Sequence, residues 1–265
     1  MYKMSIHNIA FDTNKIGELS LEKMPFPYGK LDHFLNTSFA EDLQQEILTI
    51  PQEAWDRYDN PFEQKYTLRD KFRFPPLLKQ LFDVLTSESF VSVLSSITGY
   101  NLLLDTTRNF WGVHTYGPGD KLDIHVDAGL HPTLGLKKQI TLGIYLSYEW
   151  KEEYGCNLEI WRGDNCVNDA KIVEKMNSIA PLFNRLILFE CNDYAWHGNP
   201  EPANCPEESK RIFITLSYLS ENFKDDNKRK KAFFVARPGD PVDEEKDKLR
   251  LLRADAEMYK EVYRL

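Results

Sequence analysis

The stretches KQITLGIYLSYEW at residues 138–150 and CNLEIWRG at residues 156–163 are separated only by the short segment KEEYG. Both are rich in β-branched and aromatic residues, and the segment between them is too short for a helix. Similar runs occur nearby: RNFWGVHTYG at 108–117, MNSIAPL at 176–182, NRLILFEC at 184–191 and RIFITLSYLS at 211–220. Several short strands without helices between them predict an antiparallel sandwich or barrel over residues 101–220.

Helical patterns precede this β-rich region. The stretch NTSFAEDLQQEILTI at 36–50 has Ser38 and Glu41 at the spacing of a capping box, ahead of an apolar pattern. Residues 74–100 predict two further helices, the first starting at Pro75–Pro76 and the second ending at Gly99. We therefore expect an N-terminal helical region, residues 1–100, packed on the β core.

A last helical pattern follows the β-rich region. Asp240 is the predicted N-cap, and Pro241 occupies the first helical position. Residues 221–265 are thus expected to form a C-terminal loop and a helix that docks on the core. The predicted fold class is mainly β with flanking helices.

Composition restricts the possible partners and compartment. The chain has 265 residues, 28% of them charged, and a formal net charge of −8, which predicts no attraction for nucleic-acid polymers or anionic membranes. The N-terminus lacks the apolar core of a signal peptide, and no apolar run reaches the ~18 residues of a membrane span. The four cysteines show no C-x-x-C pair and are expected to be reduced. These features predict a cytoplasmic protein.

The stretch DIHVDAGLHP at 123–132 contains a candidate metal pair. His125 and Asp127 are two residues apart at the end of a predicted strand, so their side chains point the same way. They make two thirds of a 2-His-1-carboxylate facial triad. His197, which follows a strand and a turn, is the candidate third ligand, because strands far apart in sequence lie side by side in a sandwich. Asp123 and His131 are expected to be bystanders.

Arg211 adds a second chemical requirement. It begins the strand at 211–220, where burying a guanidinium is costly unless an anion pairs with it. Its planar fork suits a carboxylate. One strand beyond the last histidine, Arg211 is placed to hold the distal carboxylate of 2-oxoglutarate.

The order His125-x-Asp127, His197, Arg211 resembles the prolyl-4-hydroxylase-like branch of the Fe(II)/2-oxoglutarate-dependent dioxygenases. The segments GIYLSYEWKEEYGCNLEIW and FNRLILFE…AWHGNPEP extend the resemblance over roughly residues 100–220. It implies a double-stranded β-helix (jelly-roll) core with the metal at its open end.

The resemblance also implies the roles of individual residues. It makes His125, Asp127 and His197 the catalytic iron ligands and Arg211 the anchor of the 2-oxoglutarate C5 carboxylate. Tyr145 stands where the family often has a tyrosine that contacts the same carboxylate, and Tyr116 where it has one that lines the co-substrate pocket. Thr215, on the strand face of Arg211, is expected to line this pocket too.

The implied reaction is hydroxylation of an unactivated C–H bond with release of succinate and CO₂. The cofactors would be Fe(II), 2-oxoglutarate and O₂, with ascorbate as a stimulant. We prefer a small-metabolite substrate, with peptidyl-prolyl hydroxylation as the alternative. A cupin-like metal-binding module or hydrolase that does not use 2-oxoglutarate is the alternative from a different class. Monomer and homodimer are both open.

Three residues are candidates for contact with the substrate. His114 shares strand parity with Tyr116 and Arg108, and so either faces the pocket with them or packs inside the sandwich. Arg162 ends a strand near the predicted rim, where it would either reach an anionic substrate or remain a solvated charge.

Overall fold

The computed structural model describes residues 15–166, 170–221 and 229–264. The strands are β1 (Tyr28–Leu31), β2 (Trp55–Asn60), β3 (Glu63–Leu68), β4 (Leu103–Leu104), β5 (Gly112–Tyr116), β6 (Lys121–Val126), β7 (Lys137–Tyr145), β8 (Leu158–Gly163), β9 (Ile172–Ile179), β10 (Arg185–Glu190), β11 (Trp196–Asn199), β12 (Arg211–Ser220) and β13 (Phe233–Phe234). The α-helices are α1 (Thr37–Leu48), α2 (Pro76–Leu85), α3 (Glu88–Thr98) and α4 (Glu244–Ala254). Short 3₁₀ turns occupy Lys15–Glu18, Gln52–Ala54, Glu152–Tyr154 and Met258–Arg264.

All of these strands belong to one curled antiparallel sheet. One layer has the strand order β1-β10-β7-β12-β5, and the other has the order β6-β11-β8-β9. Strand β3 joins the layers because it pairs with both β5 and β6. This arrangement confirms the predicted jelly-roll core with flanking helices.

Side-chain alternation gives the first layer two different faces. Ile140, Leu142 and Ile144 of β7 are buried in one apolar cluster with residues of α1, α2 and α3. Thr141 and Tyr145 point to the opposite face and line a cavity between the layers. The helices therefore support the sheet from outside, and the inner face is left for the site.

The N-terminal region is not purely helical, contrary to the prediction. It contributes β1, β2 and β3, and β3 extends the sheet across the predicted boundary at residue 100. The β2–β3 hairpin was missed because its residues are mostly polar and partly exposed, so neither strand has a continuous apolar face.

Two predicted helix caps are also corrected. Helix α1 is capped by Asn36, whose side chain accepts a hydrogen bond from the Ser38 amide. Helix α4 begins later than predicted, with Asp243 as its N-cap. The Asp240 carboxylate instead accepts hydrogen bonds from the backbone amide and the guanidinium of Arg237.

The C-terminal segment packs on the core. Leu249, Leu252 and Val262 pack around Phe62 and Phe234, so this segment covers the outer side of β6 and β13. Predictions that concern residues 1–14 and 222–228 fall outside the described residues. Within the described ranges, no single helix is long and apolar enough to cross a membrane, and α2 and α3 pass that test only as a pair bent by 52°.

Candidate active site

His125, Asp127 and His197 meet at the open end of the sheet. His125 and His197 are directly opposite each other in the antiparallel β6–β11 pair, and Asp127 follows the end of β6. The His125 Nε2 lies 3.4 Å from the Asp127 Oδ1, and the His197 Nε2 lies 4.0 Å from the Asp127 Oδ2. One donor atom from each residue falls within 4.8 Å of the others, as a single metal ion requires.

Backbone carbonyls fix the orientation of both imidazoles. The His125 Nδ1 lies 2.9 Å from the carbonyl oxygen of Asp123, and the His197 Nδ1 lies 2.9 Å from that of Ala195. A carbonyl oxygen only accepts, so each Nδ1 carries the proton and each Nε2 presents its lone pair. This is the outer-shell arrangement that prepares histidines for metal binding.

The charges of the triad favour a cation. Burial alone would raise the pKa of Asp127, but Lys138 and the two imidazoles outweigh it and hold the pKa well below its ordinary value. Burial and the neighbouring His125 lower the pKa of His197 to about 4. At neutral pH Asp127 is therefore an ionised carboxylate and His197 a neutral imidazole. These are the protonation states that metal binding needs.

Lys138 donates to the Asp127 carboxylate. The sequence pattern did not predict that Lys138 belongs to the site. Its Nζ lies 2.5 Å from the Asp127 Oδ2. Thr141 faces the cavity, so strict alternation of side chains along β7 would point Lys138 to the opposite face of the sheet. The pairing of β7 with β12, however, shifts by one residue between Ile140 and Lys138. This β-bulge at Gln139 turns Lys138 towards the cavity.

Arg211 lies deep in the cavity and is 2% exposed. Among residues 15–166, 170–221 and 229–264, no carboxylate pairs with it, and its Nε and Nη1 have no hydrogen-bond partner. Its Nη2 donates to the Tyr145 hydroxyl at 3.3 Å, and the guanidinium lies over the Tyr116 ring at 4.6 Å. Burial raises the pKa of Tyr145 to about 12, so its hydroxyl stays neutral. Arg211 and Tyr145 together therefore lack a carboxylate to balance the guanidinium charge.

The triad and Arg211 line the same cavity, which has a volume of about 250 Å³. Apolar side chains form much of the wall between them, among them Leu158, Ile187 and Phe189. The site thus combines a facial triad, an enclosed apolar wall and a buried guanidinium with free donors. These residues fit an iron ion with a chelating oxoacid whose far carboxylate reaches Arg211.

Comparison with known families agrees with this geometry. The model of the 2OG-Fe(II) oxygenase superfamily matches residues 111–219, the range that contains all three triad residues and Arg211. Over that range, which is less than half of the chain, the sequence is similar to this superfamily. The match ends near the end of β12, so the N-terminal hairpin and the C-terminal segment of the chain lie outside it.

The chain is also similar to an individual protein that is named as a prolyl hydroxylase. It is 29% identical over 185 residues to prolyl 3-hydroxylase OGFOD1 of Xenopus laevis, a match that covers 69% of this chain and 33% of the relative. The chain thus spans about a third of the length of that relative.

Solved structures share the fold at lower identity. The prolyl hydroxylase of Trichoplax adhaerens, in complex with a hypoxia inducible factor peptide, superposes with a TM-score of 0.55 at 20% identity, covering 84% of this chain and 91% of that one. The epimerase SnoN, in complex with Fe³⁺, alpha ketoglutarate and nogalamycin RO, gives 0.50 at 14% identity, covering 90% and 92%.

The other predicted site residues fall into two groups, those that line the cavity and those that do not. His114, Tyr116, Tyr145 and Thr215 all line the cavity. The Thr215 hydroxyl donates its hydrogen to the Leu142 carbonyl at 3.0 Å, so its donor is occupied by a hydrogen bond within the sheet.

The two arginines proposed for substrate contact lie elsewhere. Arg108 precedes β5 with a φ of 58°, so the strand alternation does not extend to it, and its guanidinium donates to the Lys71 carbonyl. Arg162 is about half exposed and pairs with Glu174 at 2.6 Å. Neither is among the residues that line the cavity.

The two expected bystanders of the metal pair are buried and paired with other groups. His131 lies 3.1 Å from the Asp105 carboxylate, and its Nδ1 accepts from the Leu134 amide. Asp123 pairs with Lys121 and with Lys246 of α4, each at 2.6 Å. Both residues serve the structure around the site.

Proposed function

We propose that the protein is an Fe(II)- and 2-oxoglutarate-dependent oxygenase that hydroxylates an unactivated C–H bond of a small metabolite. The observation that carries this proposal is Arg211, which is buried with two unused donor atoms in the same cavity as the triad. A metal-binding module or a hydrolase needs no such group. Leaving a buried guanidinium unpaired is unfavourable, and the 2-oxoglutarate C5 carboxylate relieves that cost.

The residues of the site would have distinct roles. The Nε2 atoms of His125 and His197 and one oxygen of Asp127 would hold the iron, and Arg211 with Tyr145 would orient 2-oxoglutarate. Iron held there would supply the O₂ chemistry, in which one oxygen atom of O₂ enters succinate as 2-oxoglutarate loses CO₂ and the other enters the substrate C–H bond. The protein supplies the ligand geometry, the orientation of both substrates and a wall that excludes water. Because Asp127 supplies a carboxylate, hydroxylation is favoured over halogenation.

Peptidyl-prolyl hydroxylation is the second candidate. The relative named prolyl 3-hydroxylase supports it, at 29% identity over 69% of this chain. The peptide-bound structure from Trichoplax adhaerens has the same fold, which by itself does not determine the substrate. The cytoplasmic location remains a prediction from composition.

The test is release of succinate from 2-oxoglutarate, measured with Fe(II) and ascorbate across two panels of substrates. One panel holds small metabolites and the other prolyl peptides. We expect substrate-stimulated succinate release with the metabolite panel, and none in Asp127→Ala. Stimulation by prolyl peptides alone would support the second candidate. Iron binding without 2-oxoglutarate turnover under any condition would favour a cupin-like role.

A further inference from the structure

The cavity opens outward into a second, larger chamber of about 550 Å³. We call this chamber the vestibule. Asn109, Phe110, His114, Asp127 and Lys138 line both spaces, so the vestibule leads directly to the metal ligands. A substrate can therefore reach the metal ligands through the vestibule.

The vestibule carries a strong positive charge in an otherwise acidic protein. Its lining contains six cationic side chains, Lys65, Lys71, Lys138, Lys230, Lys231 and Arg253, but only two carboxylates, Glu63 and Asp127. The whole chain has a net charge of −8. Cations are therefore concentrated in a chamber that borders the metal ligands.

Both carboxylates are already paired. Glu63 lies 2.8 Å from Lys65 and 3.6 Å from Arg253, and Asp127 is bound by Lys138. Lys71, Lys230 and Lys231 have no carboxylate within 4 Å among residues 15–166, 170–221 and 229–264. The Lys71 Nζ donates to the backbone carbonyl of Asn109, at 3.0 Å, and the Lys231 Nζ lies over the Tyr259 ring, 3.4 Å from its centroid. Neither contact neutralises the ammonium charge, so within the described residues all three lysines keep a positive charge that an external anion can pair with.

Lys71 and His114 show that part of this charge is desolvated. Burial lowers the pKa of Lys71 below its usual value, so the ammonium has lost water without gaining an acidic contact. The neighbouring His114 has a buried Nδ1 that finds no hydrogen-bond partner within the described part of the chain. Both groups line the junction of the two chambers, where a polar substrate group would satisfy them.

We propose that the substrate is a small anionic metabolite, with a phosphate or carboxylate group held by Lys71, Lys230 and Lys231 while the carbon to be oxidised points at the metal. This inference rests on the proposed function and specifies its substrate. Except for Lys138, the vestibule cations come from outside the family-matched residues 111–219. The segments that surround the conserved chemistry would therefore select the substrate.

The test measures binding to the anaerobic protein loaded with Fe(II) and 2-oxoglutarate. Glycerol 3-phosphate, tricarballylate and uncharged glycerol serve as probes in calorimetric titrations at 50 and 500 mM NaCl. The variants are Lys71→Met and the double variant Lys230→Met/Lys231→Met. The matched control is Lys248→Met/Lys260→Met, which removes two charges from exposed positions outside the vestibule.

We expect at least one anionic probe to bind and glycerol not to bind. Affinity for that anion should fall tenfold or more in the vestibule variants and at high salt, and stay unchanged in the control. Binding of only the phosphate or only the carboxylate probe would identify the anionic group. Absence of anion binding, or equal loss in the control variant, would overturn the inference.

The proposed function is followed separately in the same samples, through the visible absorption band of iron chelated by 2-oxoglutarate. A normal band without anion binding would leave the oxygenase proposal intact and reject the anionic substrate. Anion binding without a band would reject 2-oxoglutarate chelation and retain the vestibule as an anion site.

Discussion

His125 and His197 are direct cross-strand partners in β6 and β11, although they are far apart in sequence. Their ring centroids lie 4.5 Å apart, and both Nδ1 atoms are held by backbone carbonyls. Strand register therefore sets the spacing of two metal ligands. Any change that moves β11 relative to β6 should be felt first in metal affinity.

Gly198 offers a test of this dependence on register. A Cβ at this position would lie 2.7 Å from the Asp123 carbonyl oxygen and 2.8 Å from that of Leu122. Because both obstacles are backbone atoms, Gly198→Ala must push β11 away from β6. We expect Fe(II) affinity to fall by about tenfold or more, as for other disturbances of a ligand shell. Gly17→Ala is the control, since nothing lies within 4 Å of its added Cβ, and an equal loss there would refute the explanation.

Lys138 should support the metal through Asp127. Removing its ammonium with Lys138→Met frees the outer carboxylate oxygen and leaves burial to raise the pKa of Asp127. We expect Fe(II) affinity to fall by about 10–100-fold. Equilibrium titration with Fe(II) measures this, with the exposed Lys151→Met as the control. Unchanged affinity in Lys138→Met would show that the ion pair has no role in metal binding.

Arg211 should determine the affinity for 2-oxoglutarate and leave iron binding intact. Arg211→Met removes the buried cation, and loss of such a charged pair costs about 2–5 kcal/mol. We therefore expect the Kd for 2-oxoglutarate to rise roughly 100-fold, which corresponds to about 2.7 kcal/mol. The Kd for Fe(II) should stay within about twofold. Arg162→Met, at an exposed ion pair, should change neither, and equal weakening there would contradict the assignment.

His114 predicts a specific pH dependence of stability. Burial, followed by the charges of Lys65 and Lys71, holds the pKa of His114 well below 6.5. Below pH 6.5 the unfolded chain takes up a proton at this residue and the folded chain does not, so the contribution to stability falls as pH falls.

Urea unfolding at pH 7.0 and 5.5 measures this effect. Over that interval the wild type should lose about 1 kcal/mol more than His114→Gln, given the ~1.4 kcal/mol limit per pH unit for one group. All other residues are the same in both proteins, so their contributions cancel in the difference. An equal pH dependence in the two proteins would contradict the prediction, because it would show that His114 takes up a proton as readily in the folded state as in the unfolded state.

The sequence predicted the chemistry of the site better than its surroundings. The triad and Arg211 were recognisable because rare residue types occur at strand ends in a fixed order. Lys138 was not, because a β-bulge at Gln139 breaks the alternation on which strand faces are predicted. The prediction that Arg108 faces the pocket was wrong for a related reason, since its positive φ places it outside the regular strand.

The strands missed by sequence analysis share a physical cause. The β2–β3 hairpin alternates half-exposed polar residues and gains its stability by pairing with β5 and β6. Such long-range pairing leaves no local apolar signature. The vestibule was missed for a similar reason, because all of its cations except Lys138 come from this hairpin region and from the C-terminal segment, which meet only in the folded chain.

The most direct test of the oxygenase account is an anaerobic titration of the metal-free protein with Fe(II) and 2-oxoglutarate, followed by visible absorption. The account predicts a weak charge-transfer band that needs both additions and is lost in Asp127→Ala and in Arg211→Met. Iron binding without such a band at saturating 2-oxoglutarate would contradict it and leave a metal site without the proposed co-substrate.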